Sequence, residues 1–399
     1  MTESLLEFYQ RHRISPVRQD IGDLEAHFAR RAALYRHLGI LPAFVRGRRV
    51  LEIGPGSGFN SLYTASLDPS RYVLVEPNPR GVDDILQLFS GYPRFARLIE
   101  VVSASADEYE CGEPFDFVFC EGMLALAGVP DPRALLRSVA RNTAPGGVLV
   151  ITCIDAVSQL PEVLRRFVAQ WLIDPAADLA GNAARLLPAF SPHLSTLKAM
   201  SRRHDDWIVD NLLNPASIGP LLGIPDAIAT LDGFLTGFDA FGASPQFMTD
   251  WRWYKAIGID GRFNALAAEA YWAGVHNLLD YRHLSPPRDP AENRRLYDEC
   301  ATIRDLVAEY ERTRDRGLLR SVSRGVNAIA STVSAFSRET SEAIAELGAI
   351  FSQPPIEASR VGAGTRFGPW FGRGQQYLSF SRRVGVNGTA EHAGARDEV

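Results

Sequence analysis

An α/β fold, with a parallel sheet covered by helices on both faces, is the class this sequence predicts. Three observations predict it. Short apolar runs rich in β-branched and aromatic residues stand at 49–53, 72–75, 99–102, 115–119 and 148–152. Segments with helical spacing fit between them. Alternating glycines, Gly54, Gly56 and Gly58, follow the first run, as at a strand-to-helix corner. Strands that read as continuous apolar runs are those buried on both faces.

Taken in order, residues 1–47 read as helical. Leu24, Phe28, Tyr35 and Leu38 recur at multiples of three and four, and Gly39 supplies a stop. The five runs and their intervening helices fill residues 48–155. Asp131-Pro132 opens one of these helices, with Asp as N-cap and Pro in the first turn. Leu135, Leu136 and Val139 form its buried face, and Pro145-Gly146-Gly147 is expected to end it. After Asp155 the alternation stops. Val163, Leu164, Phe167, Val168, Trp171 and Leu172 make a helical stripe. Punctuated helices continue from there, and 289–352 reads as long amphipathic helices. Stripes such as Val326, Ile329, Val333 and Phe336 predict packing within the chain, with a homodimer contact as the alternative. A strand-like QYLSF at 376–380 follows the turn-rich RFGPWFGRG. The tail, 384–399, is polar and rich in Gly and Ala, so disorder is expected there.

Composition excludes several classes. The chain has 399 residues, 46% of them hydrophobic, and a net charge of −5, so no general attraction to nucleic acid is expected. Lys198 and Lys255 are the only lysines. Cys111, Cys120, Cys153 and Cys300 are scattered, with no CxxC pair, which argues against structural zinc and a disulfide framework. No metal site is expected. The opening MTESLLEFYQRHR lacks an apolar signal core, and no run approaches the roughly 20 apolar residues of a membrane span. The expected compartment is the cytoplasm.

The most informative segment is VLEIGPGSGFNS, residues 50–61. Glycines there keep side chains away from a ligand, and the following helix N-terminus offers free N–H groups. A phosphate loop would need Gly-Lys-Ser/Thr, which is absent. A dinucleotide loop would need a third glycine where Phe59 stands. Glu52, two residues before Gly54, would repel a pyrophosphate. It suits a ligand that is cationic or rich in donors, such as the methionine end of S-adenosylmethionine. Glu76 closes the second strand, about eighteen residues past the loop, where a carboxylate can accept ribose hydroxyls. A surface acid is the plainer reading. Ser105 and Ala106 follow the third strand, and Cys120 and Glu121 lie at the end of the fourth.

VLEIGPGSG, Glu76, FDFVFCEG and APGGVLVIT together resemble the class I S-adenosylmethionine-dependent methyltransferases. The resemblance covers about residues 48–155 and the C-terminal strand. It implies a Rossmann-like sheet of seven strands, the last antiparallel. On that basis 376–380 is strand seven and 362–371 holds strand six. Residues 156–355 would then be a large helical insertion after strand five, a substrate lid, and 356–383 would complete the sheet. By the same resemblance the cofactor S-adenosylmethionine would contact Glu52, Gly54, Pro55, Gly56 and Gly58. Glu76 with Pro77 would hold its ribose, Ser105-Ala106 would flank adenine, and Cys120-Glu121 would line the floor. GASPQFMTDWRWYK and RRHDDWIVDNLLNP also resemble bacterial methyltransferases associated with surface-glycan biosynthesis.

The implied reaction is methyl transfer to an oxygen of a polar small molecule or glycan intermediate. The alternatives are a nicotinamide-dependent oxidoreductase and a non-catalytic protein of the same fold with a helical interaction surface. An oxygen nucleophile benefits from a base, worth ~10²–10⁴-fold. His204, beside Asp205, Asp206 and Asp210, is one candidate, and a solvated helix start is its plainer reading. Asp155, just after strand five, is the other, with a helix N-cap as the plainer reading. The aromatic cluster at 250–255, with Trp272, His276 and Asp280, would either stack a sugar or lock the insertion to the sheet.

Overall fold

The structure, a computed structural model, describes residues 5–12, 14, 21–125, 129–245, 263–351 and 355–385. Two helices lead in, α1 (Leu5–His12) and α2 (Leu24–His37). The alternating core runs β1 (Arg49–Ile53), α3 (Ser61–Ser66), β2 (Arg71–Val75), α4 (Pro79–Ser90), α5 (Pro93–Ala96), β3 (Ile99–Val102), β4 (Phe115–Cys120), α6 (Pro132–Arg141) and β5 (Thr143–Cys153). Helices α7 (Ala156–Ala169), α8 (Leu179–Leu194), α9 (His204–Ile208) and α10 (Ile224–Asp232) then lead to β6 (Phe238–Ser244). Helices α11 (Phe263–Gly274), α12 (Pro290–Thr313), α13 (Leu318–Ser334), α14 (Arg338–Phe351) and α15 (Ala358–Gly362) precede β7 (Gln376–Arg382).

The sheet order is β3-β2-β1-β4-β5-β7-β6. Strands β1 to β5 pair in parallel, and β7 runs antiparallel to both β5 and β6. Side chains alternate between the faces because the strand period is two. Val50, Tyr72, Leu74, Phe117, Phe119 and Val150 pack against Tyr35 and Leu38 at the end of α2. Leu51, Ile53, Val73, Val75, Val118, Leu149 and Ile151 pack toward α6 and α7. The five predicted strands are therefore present, and all but the edge strand β3 are largely buried.

Strand six departs from the expectation. It lies at Phe238–Ser244, whereas 362–371 holds the end of α15 and turns. The helical excursion after strand five is thus split: residues 156–237 precede β6 and 245–375 precede β7. The strand-like aromatics of the turn segment serve packing instead. Phe367 and Trp370 are fully buried, and the Trp370 indole donates to the Leu279 carbonyl at 2.9 Å. Helix α6 also ends earlier than Pro145, at Arg141, capped by Asn142. The expected tail, 384–399, lies beyond the described residues from position 386 onward.

The stripe on α13 is spent inside the chain: Val326, Ile329 and Val333 are buried against the same core as α12 and α14. The approach to β7 is equally tight. A Cβ on Gly372 would stand 1.9 Å from the Ser158 carbonyl oxygen at the start of α7. Gly372→Ala should therefore push α7 and the β7 approach apart, costing about 2–3 kcal/mol. Urea denaturation would show it, and a midpoint unchanged from wild type would refute this account of the contact.

Candidate functional site

The loop after β1 turns on three left-handed glycines, with φ of +70° at Gly54, +59° at Gly56 and +78° at Gly58. L-residues with side chains avoid this region, so the spacing of the three is a backbone requirement. The loop borders a cavity of about 490 Å³ at the carboxyl ends of the strands. Parallel α/β sheets bind ligands at that edge. One wall comes from strand ends and loops: Glu52, Gly54, Pro55, Gly56, Glu121 and Gly122. Helical segments form another part of the wall: Ser158, Gln159 and Glu162 of α7, and Trp207, Asp210 and Asn214 beyond it. Tyr9 of α1 and Tyr377 of β7 complete it.

Among the described residues four carboxylates line this space, Glu52, Glu121, Glu162 and Asp210, with the guanidinium of Arg202, and a second guanidinium, Arg31, stands behind Glu121. Three of the four are held. Glu52 accepts from the Tyr72 hydroxyl, and burial pushes its carboxyl up. Glu121 pairs with Arg31 of α2 at 3.1 Å and accepts from Tyr377. Asp210 pairs with Arg202 and accepts from Tyr9 at 3.2 Å. Arg31 is itself buried, 5.5 Å from the Phe119 ring centroid.

Glu162 is different. Its Oε2 is buried without a hydrogen-bond partner among the described residues. Burial pushes its carboxyl up to about 7. The nearby Arg165 turns away and donates to the carbonyls of Pro161, Phe367 and Gly368. Sequence reading passed over Glu162 because one acid inside an apolar helical stripe looks solvent-facing. Its i, i+3 and i+4 relation to Gln159 and Ser158 was the available signal: one polar face on a buried helix.

The other predicted residues fall as follows. Of the eleven cofactor candidates, Glu52, Gly54, Pro55, Gly56 and Glu121 line the cavity, while Gly58, Glu76, Pro77, Ser105, Ala106 and Cys120 do not. Gly58 faces Ile85 of α4. Glu76 is buried behind the loop, where it accepts from the amides of Gly56 and Asn78, both at 2.9 Å. Burial pushes it up to about 7. It braces the glycine loop, and a carboxylate accepting two bonds keeps further lone pairs for a ligand. Ser105 is turned into its own loop, donating to Glu108 at 2.6 Å. Ala106, in the turn after β3, and Cys120, at the end of β4, are core residues of the cluster beneath α6 and α7.

Neither base candidate faces the cavity. Asp155 is fully buried and caps α7, accepting from the amides of Val157 and Ser158 at 2.8 Å. The plainer reading of that position is the one observed. His204 opens α9 and its Nδ1 meets the Ser191 hydroxyl, while its neighbours Arg202, Trp207 and Asp210 reach the cavity. Trp272, His276 and Asp280 are packing residues: Arg294 lies over Trp272, Asn293 meets His276, and Asp280 holds Arg282 and Thr340. The cluster at 250–255 lies outside the described residues. Among the described residues no helix is long and apolar enough to cross a membrane, and no group of three or more His, Cys, Asp or Glu could hold a metal.

A seven-stranded sheet with this order, a single reversed strand and a glycine loop after β1 is a Rossmann-like fold of the methyltransferase type. Comparison with known proteins agrees for the first half of the chain: residues 26–193 match the family model of a methyltransferase domain. A curated relative, protein-L-isoaspartate O-methyltransferase from Methanopyrus kandleri, is 30% identical over 137 residues, covering 33% of this chain and 52% of its own. The chain thus spans about half the length of the curated relative it matches. Among solved structures, the CcbJ methyltransferase from Streptomyces caelestis is 24% identical over 33% of this chain and 50% of its own, with a TM-score of 0.28. The N-methyltransferase NodS from Bradyrhizobium japonicum is 20% identical over 34% and 73%, with a TM-score of 0.29.

Proposed function

We propose that this protein transfers a methyl group from S-adenosylmethionine to an oxygen of a polar small molecule or glycan intermediate. The observation that carries the reading is a carboxylate-lined cavity beside a glycine loop whose Gly54, Pro55 and Gly56 form part of its lining. A sulfonium and an α-ammonium are cations, and lining carboxylates that outnumber the guanidiniums of Arg202 and Arg31 favour them. A pyrophosphate in the same place would meet Glu52 and Glu121. When bound, S-adenosylmethionine supplies an electrophilic methyl group. What the chain must add is alignment and exclusion of water. Gly54 to Gly56 would let the cofactor's amino-acid end approach the backbone, and Glu76 braces that loop from behind. The helical wall offers amides and hydroxyls from Gln159, Asn211, Asn214 and Ser217, with the Trp207 ring. That mixture suits a hydroxyl-rich acceptor.

Titration calorimetry tests the reading. S-adenosylhomocysteine should bind at micromolar concentration and NAD should not. NAD binding in its place would favour the oxidoreductase alternative. Binding of S-adenosylhomocysteine without turnover across nucleotide sugars and lipid-linked saccharides would favour the non-catalytic alternative.

A further inference from the structure

We propose that Glu162 is the catalytic base of this site, the group that takes the proton from the acceptor nucleophile. The inference rests on the methyl-transfer reading above. Its ground is the contrast between Glu162 and the three other acids of the cavity. Each of those is already engaged by a tyrosine hydroxyl or a guanidinium. Glu162 is not: its buried Oε2 has no partner among the described residues, and no ion pair forms at it there. An unpaired buried carboxylate is costly to the fold. Such a group persists where a ligand supplies what it lacks. It lines the same cavity as Gly54, Pro55 and Gly56, from helix α7, so an acceptor bound there would lie beside it.

In the step, the acceptor's O–H bond breaks and its proton passes to Glu162. The oxygen's electron pair forms the new bond to the methyl carbon. The carbon–sulfur bond breaks with its pair remaining on sulfur, which leaves neutral S-adenosylhomocysteine. Glu162 then releases the proton to solvent. Arg165 on its own helix acts on it through space although its guanidinium donates elsewhere, and the charged groups that share the cavity with it are Arg202, Asp210, Glu52 and Glu121. Arg304 of α12 reaches only as far as Gln159. Tyr9 and Tyr377 are buried phenols bound to Asp210 and Glu121.

The test needs no acceptor. Sinefungin carries an amine where S-adenosylmethionine carries its methyl sulfonium, so its ammonium would sit where Glu162 acts. At pH 8 it should bind about 10- to 100-fold more tightly than S-adenosylhomocysteine, as a charge-assisted hydrogen bond allows. That advantage should vanish below about pH 6, where Glu162 is protonated (its carboxyl is held near 7). Glu76 titrates in the same range, but it acts on both ligands alike and cancels in the ratio. Glu162→Gln should remove the advantage at every pH and leave S-adenosylhomocysteine affinity unchanged. A wild-type ratio that is flat from pH 6 to 8 would overturn the proposal. So would a Gln variant that keeps the ratio or loses both ligands. If S-adenosylhomocysteine does not bind wild type at all, the methyl-transfer reading fails and not this assignment alone.

Discussion

Arg165→Leu is expected to destabilise the protein by about 2–5 kcal/mol, because two buried carbonyls lose their donor at about 1–3 kcal/mol each. Arg165 is fully buried on α7. Its guanidinium donates to the carbonyls of Phe367 at 3.1 Å and Gly368 at 2.9 Å, and lies 3.7 Å from the Phe371 ring centroid. No carboxylate neutralises it within ion-pair distance among the described residues, and burial pushes it down to about 9. Leucine would fill part of the volume but leave carbonyls from two segments unpaired in the interior. A lysine would keep the charge and still fail, because a single ammonium cannot match the planar fork. Domains of this kind carry only about 5–15 kcal/mol of net stability, so the variant should be barely folded at 37 °C. Urea denaturation reads the loss, and a shift worth less than about 1 kcal/mol would show that the carbonyls find water instead. The functional effect should follow, because the clamped segment runs straight into Gly374, Gln375 and Tyr377 of the cavity wall.

Gly56→Val should abolish binding of S-adenosylhomocysteine, with affinity down at least ~100-fold. Two penalties act together. A β-branched residue at φ +59° is strained by about 1–2 kcal/mol or more. Gly56 also lines the cavity, and its amide is tied to Glu76, so shifting it disturbs both. Gly47→Val separates the two. Gly47 has φ +67° with nothing within 4 Å of an added Cβ, and it lies away from the cavity. It should lose similar stability and keep full affinity. Equal affinity loss in both variants would mean that strain alone, not the loop's place in the site, governs binding.

The N-terminal half of the fold was legible because its signals are local. The runs that became β1 to β5 are mostly apolar, and the glycine spacing records a φ requirement that neighbouring residues set. Glu52 and Glu121 were legible for the same reason, since a strand end names its own place in a parallel sheet. Asp155 shows the limit of that rule. It also ends a strand, yet the helix beginning one residue later takes its carboxylate as a cap.

What the sequence by itself determined is the alternating core and the loop that defines the site's strand wall. Tertiary structure alone decided where strand six lies and what the helical wall presents. Phe238–Ser244 is an edge strand with interrupted burial, and its pairing partner β7 is more than a hundred residues away in the chain. Glu162 follows the same logic. Its helix is apolar on most sides, and only the packing of α7 between the sheet and α12 turns its one polar face inward. Contacts between distant segments leave no period in either segment to be read, so burial there is a property of the assembled molecule.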